Sequence, residues 1–250
     1  MSSQPRRVGS PRNTSPLAWG AGAVARDRAP KLKHHGGQVL GAVEVFPIYW
    51  GRFWRLAAGE TLSSELNRFF DVILASEMME KLSRFYTHEM QITHGRRVGA
   101  LTEATANPGT LTNAGQMVTD AHVQAGLRSF IFENKAPAPN PNTLYFIYLP
   151  PGVTSQQGSL ESCRDYCGYH GSTANVPHRI RYVVEASLGC ASCSFGSDLA
   201  SLTKSSSHDL WEAITDPDLD AWFDPYTGEE VSDLSIERTK RVEGFLVQDV

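Results

Sequence analysis

The segment T-L-Y-F-I-Y-L, residues 143–149, constrains the fold more than any other part of the chain. It is an unbroken run of apolar, aromatic and β-branched residues, which is typical of a buried strand. The segment before it, P-A-P-N-P-N, cannot continue a helix because proline lacks the backbone N–H and clashes with the preceding turn. The chain is therefore built around at least one strand in its core.

Further strands and helices are predicted on both sides of this strand. Residues 37–51 and 180–186 are rich in Val, Ile and aromatic residues and favour strands. Apolar residues recur at helical spacing over residues 61–86, more weakly over 110–126, and again over 199–214. Strands alternate with helices without a strict β-α-β repeat, so the pattern predicts an α/β or α+β fold, with a mixed sheet in a single domain.

Charge divides the chain into two parts. Residues 1–36 carry seven Lys or Arg against one Asp, a charge of +6, which leaves −10 on the remainder of a chain whose net charge is −4. The first part is also rich in Pro, Gly and Ser, so we predict a disordered basic tail over 1–36 and a folded domain over 37–250. The acidic domain offers no basic face for phosphates, which argues against nucleic acid as a partner.

The composition of the tail is compatible with more than one cellular location. It has no uninterrupted apolar run of the kind found in secretory signals, and its Arg-rich, Ser-rich, acid-poor composition is shared by mitochondrial transit peptides and by plain disordered tails. No apolar run approaches the ~20 residues of a membrane-spanning helix, so no membrane span is expected. A cytoplasmic or mitochondrial location is compatible with these features.

The segment S-S-S-H-D-L-W-E, residues 205–212, carries the clearest chemical motif. His208 and Glu212 are four residues apart, so they lie on one helix face and their side chains can reach one cation. Asp209 occupies the place where the H-E-x-x-H zinc motif has its general base, and a carboxylate is an accepted zinc ligand. We therefore predict a zincin-like helix with His208 and Glu212 as zinc ligands and Asp209 as the catalytic base. The alternative is a solvated helix end, with Ser207 as the N-cap and Glu212 exposed.

An acidic stretch after this helix offers further ligands. It contains Asp216, Asp218, Asp220, Asp224, Glu229, Glu230 and Asp233. We assign the third metal ligand to Glu230 or Asp233. A calcium site built from carboxylate oxygens is the less favoured alternative, and a plain acidic loop remains open.

The four cysteines form two close pairs, Cys163 with Cys167 and Cys190 with Cys193. This spacing fits a four-thiolate structural zinc site, and it fits two disulfides equally well. Zinc is favoured in the cytosol and disulfides in secreted proteins.

Several segments together resemble the phosphate-induced protein 1, or EXORDIUM-like, family. They are V-E-V-F-P-I-Y-W-G, N-T-L-Y-F-I-Y-L-P-P-G-V, C-G-Y-H-G, S-H-D-L-W-E-A-I-T-D-P, A-W-F-D and T-G-E-E-V-S-D-L, in this order from about residue 37 onward. The resemblance implies an extracellular or wall-associated protein of plants, fungi or bacteria. Family members tend to read S-H-E-L-x-E at the helix, so Asp209 departs from the pattern and an activity that needs that base is impaired.

These observations lead to one functional hypothesis and two alternatives. The hypothesis is a metal-dependent hydrolase of the peptidase or amidase type, acting on a peptide or small-molecule substrate. One alternative is a non-catalytic wall-associated structural or signalling protein. The other is a scaffold recruited for small-molecule biosynthetic chemistry.

Overall fold

The computed structural model describes residues 31–85, 87, 90–112, 115–174 and 177–250. The helices are α1 (Ala57–Ile73), α2 (Glu77–Leu82), α3 (Asp120–Phe132) and α4 (Asp198–Thr215). The strands are β1 (Lys33–His34), β2 (Glu44–Trp50), β3 (Arg96–Arg97), β4 (Leu101–Glu103), β5 (Thr110–Thr112), β6 (Gly115–Thr119), β7 (Thr143–Tyr148), β8 (Val153–Gln157), β9 (Leu160–Glu161), β10 (Gly168–Thr173), β11 (Ile180–Glu185), β12 (Trp222–Phe223), β13 (Thr239–Val242) and β14 (Phe245–Gln248).

A mixed sheet forms the centre of the fold. Its strand order is β10-β11-β7-β2-β3, and β4 also pairs with β2. Strand β7 pairs in parallel with β11 and β2, and β2 pairs in parallel with β3 and β4. Strand β10, at one edge, is antiparallel to β11. The smaller sheets are β5-β6-β8-β9, β1-β12 and β13-β14. The prediction of a mixed α/β fold is confirmed.

Side chains of the central sheet alternate between two cores because successive residues of a strand point to opposite faces. In β7, Phe146 and Tyr148 face a core that also contains residues of α1 and α4. Tyr145 and Ile147 face a second core that contains residues of α3. The sheet is therefore covered on both faces, which explains why residues 143–149 read as an unbroken apolar run.

Helix α4 is buried on more than one side. It packs against β10 and β11 of the central sheet and against β14 of the β13-β14 hairpin. Thr203 Oγ1 donates a 2.8 Å hydrogen bond to the Leu246 carbonyl, and Trp211 Nε1 donates to the Gln248 carbonyl at 3.1 Å. This position leaves polar residues of α4 enclosed between the sheet and the hairpin.

The predicted elements agree with the structure to different degrees. Strands at 143–149 and 180–186 and the helix at 199–214 are confirmed as β7, β11 and α4. The strand predicted over 37–51 is confirmed only as Glu44–Trp50. The helix predicted over 61–86 divides into α1 and α2, because Ser76 leaves the helix and caps a new one by accepting a hydrogen bond from the Met78 N–H.

The helix predicted from residue 110 is wrong in its first half. Residues 110–119 contain β5 and β6, and β6 pairs in parallel with β8. Thr and Val favour strands, and pairing with β8 outweighs a weak helical pattern. The helix begins only at Asp120, where Thr119 Oγ1 accepts a hydrogen bond from the His122 N–H, and it continues past Gly126 to Phe132.

The last residues of the predicted tail, 31–36, are among the described residues and contact the folded domain. Lys33–His34 pair with Trp222–Phe223, and His35 stacks on Phe223 with ring centroids 3.7 Å apart. Residues 1–30 of that tail lie outside the described residues.

Candidate metal centre

Helix α4 begins well before the motif it carries. Its N-cap is Ser197, whose side chain accepts a hydrogen bond from the Ala200 N–H at 3.2 Å, so Ser207 lies inside the helix. Glu212 has no exposed surface and Asp209 is 1% exposed. The alternative of a solvated helix end, with Ser207 as N-cap, is therefore wrong.

His208 and Glu212 meet on the buried face of α4, as their spacing predicts. His208 Nε2 lies 3.2 Å from Glu212 Oε1, yet neither carboxylate oxygen of Glu212 has a hydrogen-bond partner among the described residues. Asp233 Oδ1 lies 3.9 Å from the same His208 nitrogen and also lacks a hydrogen-bond partner there. The other ring nitrogen, Nδ1, is 2.9 Å from Gln248 Oε1.

The predicted ligands of the following loop reach the same place. Glu230 and Asp233 are joined by a 3.0 Å hydrogen bond from the Glu230 N–H to Asp233 Oδ2, and both residues are buried. Other acids of that stretch are used elsewhere: Asp218 forms an ion pair with Arg181, and Asp216 accepts from the Ala221 N–H. The loop thus contributes Glu230 and Asp233 to the cluster.

His170 was not predicted as part of this site. It lies on β10 opposite Val183, and its alternation partner Tyr169 faces the second core, so the imidazole faces α4. His170 Nε2 is 3.3 Å from Glu230 Oε2, while Nδ1 is buried without a hydrogen-bond partner among the described residues. Two histidines from different elements therefore enter one acidic cluster.

Glu185 is the second residue that sequence reasoning missed. It ends β11, opposite Gly168 of β10, and neither of its carboxylate oxygens has a described hydrogen-bond partner. A Cβ on Gly168 would lie 2.3 Å from Asp209 Oδ2 and 3.1 Å from Glu185 Oε2. The two carboxyl groups thus occupy the space that the glycine leaves.

Burial and mutual attraction shift the pKa values of the whole cluster. Burial raises the pKa of Glu212 to about 8 and that of Asp233 to about 6, and it raises the pKa values of Glu185 and Asp209 as well. For His208, burial opposes protonation, but attraction to Glu212 outweighs it and raises the pKa to about 10. His170 behaves alike beside Glu230, with a pKa raised to about 9. Without a metal ion, bound protons therefore offset part of the negative charge of this cluster.

Two sets of side chains meet the spacing of a metal site. One set is His170, Glu212 and Glu230, and the other is His208, Asp209 and Glu212, each with one ligand atom per residue within 4.8 Å of the others. Two donors bound to one tetrahedral zinc ion at about 2.0–2.1 Å stand roughly 3.3 Å apart. The distances from His208 Nε2 to Glu212 Oε1, 3.2 Å, and from His170 Nε2 to Glu230 Oε2, 3.3 Å, agree with this value.

The cysteines form two disulfides, Cys163–Cys190 and Cys167–Cys193, with Cα atoms 5.1 Å and 5.7 Å apart. The alternative of a four-thiolate zinc site is wrong, because each sulfur is bonded to another sulfur. The bonds tie the segment before β10 to the loop between β11 and α4. Disulfides of this kind are typical of an oxidising compartment.

No protein-family model, no curated protein and no solved structure matches the chain. The resemblance to the EXORDIUM-like family accordingly stays a prediction. None of the helices in the described ranges combines the length and apolar character needed to cross a membrane.

Proposed function

We propose that this protein is a secreted, divalent-metal-dependent hydrolase of the peptidase or amidase type, built on an EXORDIUM-like scaffold. One observation carries the proposal. His208, Glu212 and Asp233 converge in a buried cluster in which both carboxylate oxygens of Glu212 and Oδ1 of Asp233 lack hydrogen-bond partners among the described residues. Buried carboxylates without partners are costly, so such groups are protonated, paired with a cationic side chain or bound to a metal ion.

The donor set favours zinc over calcium. Calcium takes six to eight oxygen ligands, whereas imidazole together with carboxylate suits zinc. His208 also has the second contact that zinc-binding histidines usually make, since its Nδ1 faces Gln248 Oε1 at 2.9 Å. We assign His208 and Glu212, which stand at the spacing of one ion, as ligands, with Asp233 Oδ1, 3.9 Å from His208 Nε2, as the third ligand and Glu230 beside them.

Asp209 is the proposed base. Its Oδ1 is buried without a hydrogen-bond partner among the described residues, and its raised pKa makes it a stronger proton acceptor at neutral pH than an exposed aspartate. A divalent ion at His208 would supply Lewis acidity and lower the pKa of a water molecule to about 7. Asp209 would take the proton of that water.

The secreted location rests on the disulfides. Both cysteine pairs are bonded, and cytosolic thiols are kept reduced. The resemblance to a wall-associated family points to the same compartment.

Metal content and hydrolysis test the proposal together. We expect zinc in the purified protein before any addition, and cleavage of a fluorogenic peptide library that stops with a chelator and returns with zinc. His208→Ala and Glu212→Ala should lose both zinc and cleavage, whereas His94→Ala, at an exposed histidine, should keep both. A wild-type protein that binds no zinc contradicts the proposal.

A second candidate function is a non-catalytic protein with a structural metal site. It is favoured by the depth of the cluster: the side chains of Glu212 and Asp233 are at most 3% exposed and that of His208 is 13% exposed, and structural zinc sites are closed. Asp209→Asn separates the two candidates. If the enzyme proposal holds, this variant keeps zinc and loses cleavage, whereas zinc binding without cleavage in the wild type supports the structural role.

A further inference from the structure

The cluster holds more unpartnered buried ligand atoms than one zinc ion can use. Besides both oxygens of Glu212, these atoms are Nδ1 of His170, Oε1 of Glu230, Oδ1 of Asp233, Oδ1 of Asp209 and both oxygens of Glu185. A zinc ion takes four ligands in a structural site, and three protein ligands with an open position in a catalytic one. One ion at His208 therefore leaves several buried polar atoms without a partner.

The two histidines belong to different groups of ligands. Among the described residues, no set of three ligand atoms within 4.8 Å contains both His170 and His208. A single tetrahedral zinc ion would need their nitrogens roughly 3.3 Å apart. Each histidine instead has its own carboxylate at that spacing, Glu230 for His170 at 3.3 Å and Glu212 for His208 at 3.2 Å.

Glu212 is the residue that the two groups share. It occurs in both sets, has no exposed surface, and has two oxygens without described hydrogen-bond partners. A carboxylate can give one oxygen to each of two ions, and hydrolases with two metal ions hold them about 3.5–4 Å apart.

The negative charge of the cluster also favours two ions over one. The cluster contains five buried carboxyl groups, those of Glu185, Asp209, Glu212, Glu230 and Asp233. When His170 and His208 give up their protons to bind ions, one divalent ion offsets two of the five negative charges that these groups carry when ionised, and two ions offset four.

We propose that the cluster binds two divalent ions bridged by Glu212. His208 holds the first ion, with Asp233 Oδ1 at 3.9 Å from its Nε2 as the next ligand, and His170 and Glu230 hold the second. Asp209, the remaining member of the His208 set, keeps the role of base. This inference rests on the proposed function, because the first position is the metal site described there. The second ion assigns a role to His170, which no feature of the α4 motif indicates.

Counting zinc ions on the folded chain by native mass spectrometry tests the inference. The full-length protein, with its disulfides intact, is stripped with a chelator, reloaded with zinc alone and desalted. We expect two ions on the wild type and fewer than two on both His170→Asn and His208→Asn. The matched control His94→Asn, at an exposed histidine, should keep two. Circular dichroism of each variant shows whether it remains folded, and the wild-type count needs no variant.

Each result has a distinct meaning. One ion on the wild type overturns the two-ion inference and leaves the proposed function standing. No ion on the wild type overturns both. Two ions that persist in folded His170→Asn overturn the assignment of the second position, and two ions that persist in folded His208→Asn overturn that of the first.

Discussion

Gln248 Oε1 lies 2.9 Å from Nδ1 of His208, and Nε2 of the same amide donates a hydrogen bond to the Ser232 carbonyl. The second bond fixes which end of the amide faces the ring. A neutral His208 therefore carries its proton on Nδ1, and the lone pair of Nε2 faces Glu212 and Asp233. Strand β14 thus orients a side chain of α4 at the proposed metal site.

Replacing Gln248 with Leu should weaken zinc binding by about 10- to 100-fold, because a metal-binding histidine loses its orienting acceptor. Competition with a chelating dye measures the change. Gln157→Leu, on β8 of the four-stranded sheet, is the matched control and should leave the affinity unchanged. Equal affinities for wild type and Gln248→Leu would show that this contact does not orient the ring.

Zinc binding should release protons and grow tighter as pH rises from 7 to 9. The pKa of His170 is raised to about 9 and that of His208 to about 10, so both rings are protonated at pH 7 before the ion binds. Zinc requires the neutral ring, so each histidine that binds an ion gives up a proton. Titration calorimetry in buffers of different ionisation enthalpy counts these protons. A binding enthalpy that is independent of the buffer is the contrary result.

Lys204 should make the folded state relatively more stable as pH rises from 8 to 10. It is 1% exposed, its ammonium lies 4.8 Å from the centroid of the Phe195 ring, and burial lowers its pKa to about 8. An unfolded lysine has a pKa near ~10.4, so between these values the unfolded state binds more protons and the unfolding free energy rises with pH. The charge costs stability below pH 8, and the penalty disappears towards pH 10.

Urea denaturation of the wild type and Lys204→Met at pH 7 and pH 10 checks this. The unfolding free energy of the wild type should gain up to about 3 kcal/mol relative to the variant between the two pH values. For Lys33→Met, at an exposed position, the difference in unfolding free energy from the wild type should be the same at both pH values. A constant difference for Lys204→Met would mean that its ammonium is not penalised by burial.

Gly168→Ala should impair hydrolysis without removing zinc. The new Cβ would stand 2.3 Å from Asp209 Oδ2, so the carboxyl must move, and a displaced general base costs about 10²-fold or more in rate. Gly171→Ala in the same strand is the control, since its Cβ would meet Tyr182 at an ordinary 3.4 Å. The comparison needs cleavage rates and zinc content for both variants. Equal rates would exclude Asp209 as the base.

The Cys167–Cys193 disulfide should contribute stability because it closes a loop with a sequence separation of 26 residues. Replacing both cysteines with alanine should lower the unfolding free energy by about 2–5 kcal/mol. Ser194→Ala, at an exposed position in the same loop, should change it by less than about 0.5 kcal/mol. The denatured, unreduced wild type should show no free thiol in a colorimetric assay. Four thiols in that assay would contradict the bonded state.

The sequence predicted the parts of the site that lie close together along the chain. The spacing of His208 and Glu212 placed both on one face of α4, and the acidic stretch after it contained Glu230 and Asp233. Whether that face is buried could not be read from α4 alone. Its burial depends on β14, which packs against the side of the helix that carries His208.

His170 and Glu185 could not be placed because they reach the site through strand pairing. The register sets His170 opposite Val183 and Gly168 opposite Glu185, and it is fixed by contacts between segments that are distant in sequence. One signal was present: Glu185 ends the apolar strand I-R-Y-V-V-E two residues after Val183, and alternation assigns both side chains to the same face. A carboxylate at that position of a buried strand is a candidate for function.

The place of β14 in the chain order affects when the site can form during synthesis. The proposed ligands come from β10, α4 and the following loop, but the residue that orients His208 is translated after all of them. While residues 245–248 remain in the ribosomal exit tunnel, α4 lacks the hairpin that covers it. The proposed metal site can therefore be completed only after residues 245–248 have left the exit tunnel and the hairpin packs against α4.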